Sequence, residues 1–159
     1  MCHAENGTNG KEATNKVIDL NGQYSHNVDA KGRIALPAKF RKSLPTDLVV
    51  TYDLKKECLY VFDEEGHQNW IASFFDKDGG FDQRSETHLK FRRTLKRLAF
   101  DVAQDSAGRI SIPAEMRETV GISKEVVLIG NTGYFEIWDK KRLDEEDEDQ
   151  IDLASFLHE

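Results

Sequence analysis

The chain has 159 residues, 38% of them hydrophobic, and a formal net charge of −7. That length suits one compact domain or two very small ones. No apolar run approaches the roughly 20 residues a membrane span needs, and the N-terminus lacks the basic-then-apolar order of a signal peptide, so a cytoplasmic protein with no membrane contact is expected. Cys2 and Cys58 are far apart with no CxxC spacing, which predicts neither a disulfide framework nor a zinc site, and no cofactor is expected. The five histidines are scattered and read as exposed or locally hydrogen-bonded.

In chain order, residues 1–21 are polar and aperiodic, and read as a flexible extension with order beginning near Gln23. Asp29-Ala30-Lys31-Gly32 is a turn, because Asp bonds its own downstream backbone and Gly takes positive φ. Ile34-Ala35-Leu36 alternates as a strand. Pro37 opens a short helix to Leu44, which Pro45 stops. Residues 48–52 and 58–62 form a hairpin around a charged turn at 53–57. Glu64 to Phe75 and Asp82 to Ala99 carry helical spacing. In the first, Trp70, Ile71, Phe74 and Phe75 share a face; in the second, Phe91, Leu95 and Leu98 do. The face opposite that second stripe holds Lys90, Arg92, Arg93, Lys96 and Arg97.

From Asp105 the first unit returns. DAKGRIALPAKFR at 29–41 and DSAGRISIPAEMR at 105–117 are identical at seven of thirteen positions, at a constant offset of 76. Leu59-Tyr60-Val61-Phe62-Asp63 and Phe135-Glu136-Ile137-Trp138-Asp139 align at the same offset. An internal repeat bears on the whole architecture. A unit of about 50 residues buries too little apolar surface to stand comfortably alone, so two copies sharing one core are expected. The organisation read from the sequence is an extension at 1–21, a first repeat at 22–65, a helical connection at 66–98, a second repeat at 99–142 and an acidic tail at 143–159. The tail has eight acids and neither Lys nor Arg, so without it residues 1–142 carry a net +1. It reads as disordered, with Ile151, Leu153, Phe156 and Leu157 as a small protein-binding segment.

The doubled D-x-x-G-R pattern, each copy followed by P-A-x-x-R and a hairpin ending in an aromatic-Asp pair, resembles the MraZ family of bacterial transcriptional regulators over about residues 22–142. Each repeat is similar to the swapped-hairpin DNA-binding unit of the AbrB/SpoVT type. The resemblance implies a mainly β fold with short helices (α+β), in which two βαβ-type swapped-hairpin repeats close a pseudo-two-fold barrel, with connecting and C-terminal helical segments. It also implies a ring-shaped homo-oligomer that binds double-stranded DNA at G-rich direct repeats, upstream of a division and cell-wall gene cluster and of its own gene. Localisation at the nucleoid follows from that. Arg33 matches the position the family uses on DNA, and Arg109 is its second-repeat equivalent.

Physical chemistry supports the same residues. A guanidinium fork reaches guanine O6 and N7 together, for roughly 1–3 kcal/mol of discrimination. Lys31 suits a phosphate, Gly32 and Gly108 shape the turns, and Asp29 and Asp105 orient them. The second turn has Ala107 where the first has Lys31, so unequal use of the two turns is expected. Lys90, Arg92, Arg93, Lys96 and Arg97 are candidate phosphate contacts. Arg41 and Arg117 are expected to serve packing or subunit salt bridges. Two other classes compete with DNA binding. One is an antitoxin-like module that binds a protein through the tail. The other is a barrel enzyme using the Asp29/Asp105 pair, but no nucleophile or metal-ligand set accompanies those acids.

Overall fold

The computed structural model describes residues 17–146 and 151–158. Residues 1–16, the greater part of the expected extension, lie outside the described residues, as do residues 147–150 and 159 of the acidic tail. In chain order the elements are β1 Gln23–Asn27, β2 Arg33–Ala35, α1 Ala38–Ser43, β3 Asp47–Tyr52, β4 Leu59–Phe62 and α2 Glu64–Ser73. There follow a 3₁₀ turn at Asp76–Asp78, α3 Glu86–Leu98, β5 Phe100–Ala103, β6 Arg109–Ser111, α4 Ala114–Thr119, β7 Glu125–Gly130, β8 Tyr134–Asp139 and α5 Lys140–Glu146. The class is α+β and mainly antiparallel sheet, as expected.

Six strands form one sheet in the order β1-β7-β8-β4-β3-β5, while β2 and β6 form a separate two-stranded ribbon. The order is symmetric about the β8–β4 joint, where Val61 pairs with Phe135. On each side the outermost strand comes from the other repeat: β1 pairs with β7, and β5 with β3. This exchange is the kind of swap that the family resemblance implied. The expected closed barrel is not formed, and the six-stranded sheet stays open with β1 and β5 as its edges. Closure would need β2 and β6 to bridge the sheet edges. Both are only three residues long and they pair with each other instead. A turn and a proline-started helix flank each of them.

The core explains the alternation in the strands. Val50, Leu59, Val61, Leu128, Phe135 and Ile137 fill one face of the sheet, and Ile34 and Ile110 close over it from the ribbon. Phe40 of α1 reaches in to pack on Phe135, with ring centroids 5.2 Å apart. Both repeats contribute to this one cluster, so neither has a private core. A second, smaller cluster joins α2 and α3 through Ile71, Phe75 and Leu95. Helix α3 starts at Glu86 rather than Asp82. Ser85 caps it by accepting from the His88 amide at 3.2 Å, while Asp82 is occupied by the Arg84 amide at 2.9 Å.

Order begins before Gln23. Leu20 is buried, and its amide donates to the Asn131 carbonyl at 3.0 Å. The tail likewise starts as structure, since α5 runs to Glu146 with Leu143 buried. Gly130 holds the N-terminal segment in place. Its φ is not in the left-handed region, unlike that of Gly133 at +92°. A Cβ on Gly130 would lie 2.5 Å from the Leu20 backbone carbon. Gly130→Ala is expected to lift residues 19–21 off β7, at a cost of about 2 kcal/mol. Amide exchange at Leu20 rising far above that of the β7 core amides would show it.

His67 departs from the exposed reading. It is 3% exposed on α2, its ring 5.6 Å from Phe62 and 6.2 Å from Trp70, and its Nε2 has no hydrogen-bond partner among the described residues. Burial first, and the Lys96 charge second, push its pKa down to about 4. The unfolded chain therefore binds a proton at His67 that the folded chain refuses. Stability is complete above about pH 6.5 and falls as the pH drops toward 4, by roughly 3 kcal/mol for this group. Urea unfolding across pH 4–7 should show that slope, and His67→Gln should flatten it.

Candidate nucleic-acid interface

Each Asp-x-x-Gly-Arg segment folds as a closed, self-bonded turn. In the first, Asp29 Oδ1 accepts from the amides of Lys31 and Arg33, both at 2.9 Å. Asp29 Oδ2 accepts from Arg33 Nε at 2.7 Å. The Gly32 amide donates to the Asp29 carbonyl at 3.0 Å, and Gly32 sits at φ +78°. The second turn repeats these bonds. Asp105 Oδ1 takes the amides of Ala107 and Arg109 at 2.9 Å, and Oδ2 takes Arg109 Nε at 2.8 Å, with Gly108 at φ +73°. The Arg33 amide contributes most to holding the Asp29 carboxyl down at about 2, and Asp105 is lowered by the matching bond from Arg109. Both acids are thus committed as anions to orienting their turns. No acid of the pair is left with the raised pKa a catalytic proton donor needs.

The ribbon puts both arginines on one surface. Ile34 and Ile110 are fully buried, so the alternate residues Arg33, Ala35, Arg109 and Ser111 face outward. Arg33 pairs with Ser111 and Ala35 with Arg109. The two arginines are therefore two residues apart along the ribbon, about 7 Å, and one strand spacing apart, about 5 Å. Their ion pairs use Nε alone. The terminal Nη1 and Nη2 atoms make no hydrogen bond among the described residues.

The other expected cations are distributed differently. Lys31 is exposed at the tip of the first turn. On α3, Lys90, Arg93, Lys96 and Arg97 are exposed, but Arg92 is half-buried with its guanidinium 3.7 Å from the centre of the Phe81 ring. At 100° per residue, Lys90, Arg93 and Arg97 share one face, whereas Arg92 and Lys96 flank the buried stripe. The five cations do not make a single groove-facing row. Arg41 and Arg117 do serve packing, on a target that the sequence does not reveal. Arg41 of the first repeat lies on Gly108, and Arg117 of the second lies on Gly32. The repeated offset of P-A-x-x-R is the signal; the crossing is not visible without the strand pairing. Among the described residues, no group of three or more His, Cys, Asp or Glu is placed to hold a metal. No helix among them is long and apolar enough to cross a membrane. Cys58 is buried, which together with the neighbouring Asp53 pushes its thiol pKa well up, the opposite of a reactive cysteine.

Comparison with known proteins agrees with this doubled architecture. The family described as "MraZ protein, putative antitoxin-like" matches residues 20–92 and 97–154, one stretch for each repeat with its neighbouring helix. The chain belongs to the MraZ family. Among MraZ relatives, the "Transcriptional regulator MraZ" of Lachnoclostridium phytofermentans is 36% identical over 139 residues, covering 87% of this chain and 94% of that protein. The protein of the same name from Acetivibrio thermocellus is 36% identical over 126 residues, covering 76% and 81%. That of Treponema denticola is 34% identical over 145 residues, covering 88% and 98%. The MraZ match begins at residue 20, where the buried Leu20 begins the described core.

Proposed function

We propose that this chain is a sequence-specific DNA-binding transcriptional regulator. It represses the promoter of its own gene and of a division and cell-wall gene cluster. The observation that carries the reading is the ribbon, which presents two Asp-braced arginines on one solvent face. A two-stranded antiparallel ribbon fits the major groove, and Arg is the side chain suited to guanine O6 and N7 there. The relatives' name, transcriptional regulator, supports the same class of function. Binding through Nη1 and Nη2 leaves the Nε–Asp bond intact, so the fork stays oriented while it docks. Lys31 holds a phosphate beside the first turn, and the exposed α3 cations Lys90, Arg93 and Arg97 add electrostatic attraction.

One ribbon contacts few base pairs, and residues 1–142 carry only +1. Affinity therefore comes from a ring of copies engaging direct repeats, each copy raising the effective concentration of the next. The protein acts in the cytoplasm at the nucleoid. The test is a fluorescence-anisotropy titration with a duplex from upstream of the chain's own gene, against the same duplex with its G-rich boxes shuffled. Light scattering on the same sample reports the assembly. Equal affinity for the two duplexes would refute sequence-specific binding.

A second reading has its own observation. Ile151, Leu153, Phe156 and Leu157 are all more than two-thirds exposed beside the acidic run, as in a peptide that binds a protein partner, and the matched family is described as antitoxin-like. Deleting residues 147–159 removes that segment and five acids. DNA affinity is expected to hold or rise, and a clear loss would place the tail in the DNA-binding assembly.

A further inference from the structure

We infer that each arginine turn is positioned by an arginine of the opposite repeat. Arg117 sets the Lys31–Arg33 turn, and Arg41 sets the Ala107–Arg109 turn. In its bearing on DNA this rests on the function proposed above.

The crossing follows from the ribbon. Because β2 and β6 run antiparallel, the end of each lies beside the turn that starts the other. The Leu36 amide donates to the Gly108 carbonyl at 3.0 Å, and the Ile112 amide to the Gly32 carbonyl at 3.0 Å. Pro37 and Pro113, the next residues after these bonds, then start α1 and α4. Arg41 and Arg117 each stand four residues beyond their proline, and one helical turn returns them toward the ribbon. A Cβ on Gly32 would lie 2.8 Å from Arg117 Nη2 and 3.0 Å from its Cζ, and the Arg41 guanidinium is packed on Gly108 more closely still. Each guanidinium thus covers the place where a turn side chain would stand. The turn glycine is required for its positive φ, and its missing Cβ leaves the space that the crossing guanidinium occupies.

The two braces are unequal. Arg117 is half-buried, and its Nε donates to the Ile112 carbonyl at 3.1 Å, which fixes its stem. Arg41 is exposed and its guanidinium makes no hydrogen bond among the described residues. The firmer brace therefore supports the turn that carries Lys31. A turn held by Asp on one side and by the crossing guanidinium on the other loses less freedom when it meets DNA. These arginines are positioning residues, since each acts through the turn that it covers.

The test uses the full chain and charge-conserving variants, which keep the stem and the fold. Without DNA, hydrogen exchange of Arg117→Lys should rise about tenfold at the Lys31 and Arg33 amides and stay unchanged at those of Ala107 and Arg109. Arg41→Lys should do the reverse. An effect confined to the variant's own repeat, or no effect, overturns the inference. With the duplex from upstream of the chain's own gene, Arg117→Lys should weaken binding about fivefold. That loss should vanish in an Arg33→Ala background and persist in an Arg109→Ala background. A loss that simply adds to that of Arg33→Ala would make Arg117 a DNA contact in its own right and overturn the positioning role. Crossed exchange effects with duplex affinity unmoved in every variant would uphold the brace and refute the DNA reading.

Discussion

On the proposed function, Arg33→Ala is expected to lower affinity for the duplex from upstream of the chain's own gene by at least tenfold, while the thermal midpoint and the light-scattering mass stay as in the parent chain. The size follows from the proposed bidentate guanine contact, roughly 1–3 kcal/mol for each copy engaged, multiplied where the proposed ring engages several copies together. The fold survives because the lost Nε–Asp29 bond is a half-exposed ion pair, a class contributing about 0–1 kcal/mol. The turn keeps its other bonds: Asp29 still accepts the amides of Lys31 and residue 33, and the Gly32 amide still reaches the Asp29 carbonyl. Arg109→Ala is expected to weaken binding less, because Ala107 offers no cation beside it. Anisotropy titrations of both variants, with light scattering, decide between these outcomes. Unchanged affinity for Arg33→Ala removes the first turn from recognition, and equal losses remove the asymmetry.

Phe135→Ala should destabilise the fold more than any of the other substitutions above, at about 3–5 kcal/mol. Phe135 has no solvent exposure, pairs with Val61 across the central β4–β8 joint and packs its ring on Phe40. The cavity would open where the two repeats share their core, so neighbouring strands of both repeats lose contacts together. Against a typical total of about 5–15 kcal/mol, that loss should lower the thermal midpoint by roughly 10 °C. Phe100→Ala is the control: the same residue type on edge strand β5 is 49% exposed, so its cost should stay within about 1 kcal/mol. Comparable losses for the two would mean that the shared core does not govern stability.

The turns show how far local chemistry reaches. Asp29, Gly32 and Arg33, with their counterparts 76 residues on, bond as their spacing required, because every partner lies within four residues. The amphipathic helices also followed from spacing, with boundaries shifted by Ser85 taking the capping role in place of Asp82. The basic face of α3 was less legible. Its charges were countable, but Phe81 captures Arg92 from outside the helix, and nothing in the periodicity of α3 foretells that. His67 looked like any polar helical residue until the sheet and Trp70 enclosed it.

By itself, then, the sequence determined the doubled unit, its ribbon and hairpin strands, its amphipathic helices and the two arginine turns, all of which depend on residues close in the chain or on a repeat visible by eye, whereas the edge strands β1 and β5 were not read from it. Tertiary structure decided the rest: the open sheet in place of a barrel, the burial of Leu20, and the crossing of Arg41 and Arg117 onto each other's turns. Those depend on which strands pair. Two repeats with matching turns and hairpins offer similar local chemistry for pairing within or between copies, so the burial of one shared core distinguishes the arrangements. The arginine that tips each turn was written in the chain, and the arginine that braces it came from the fold.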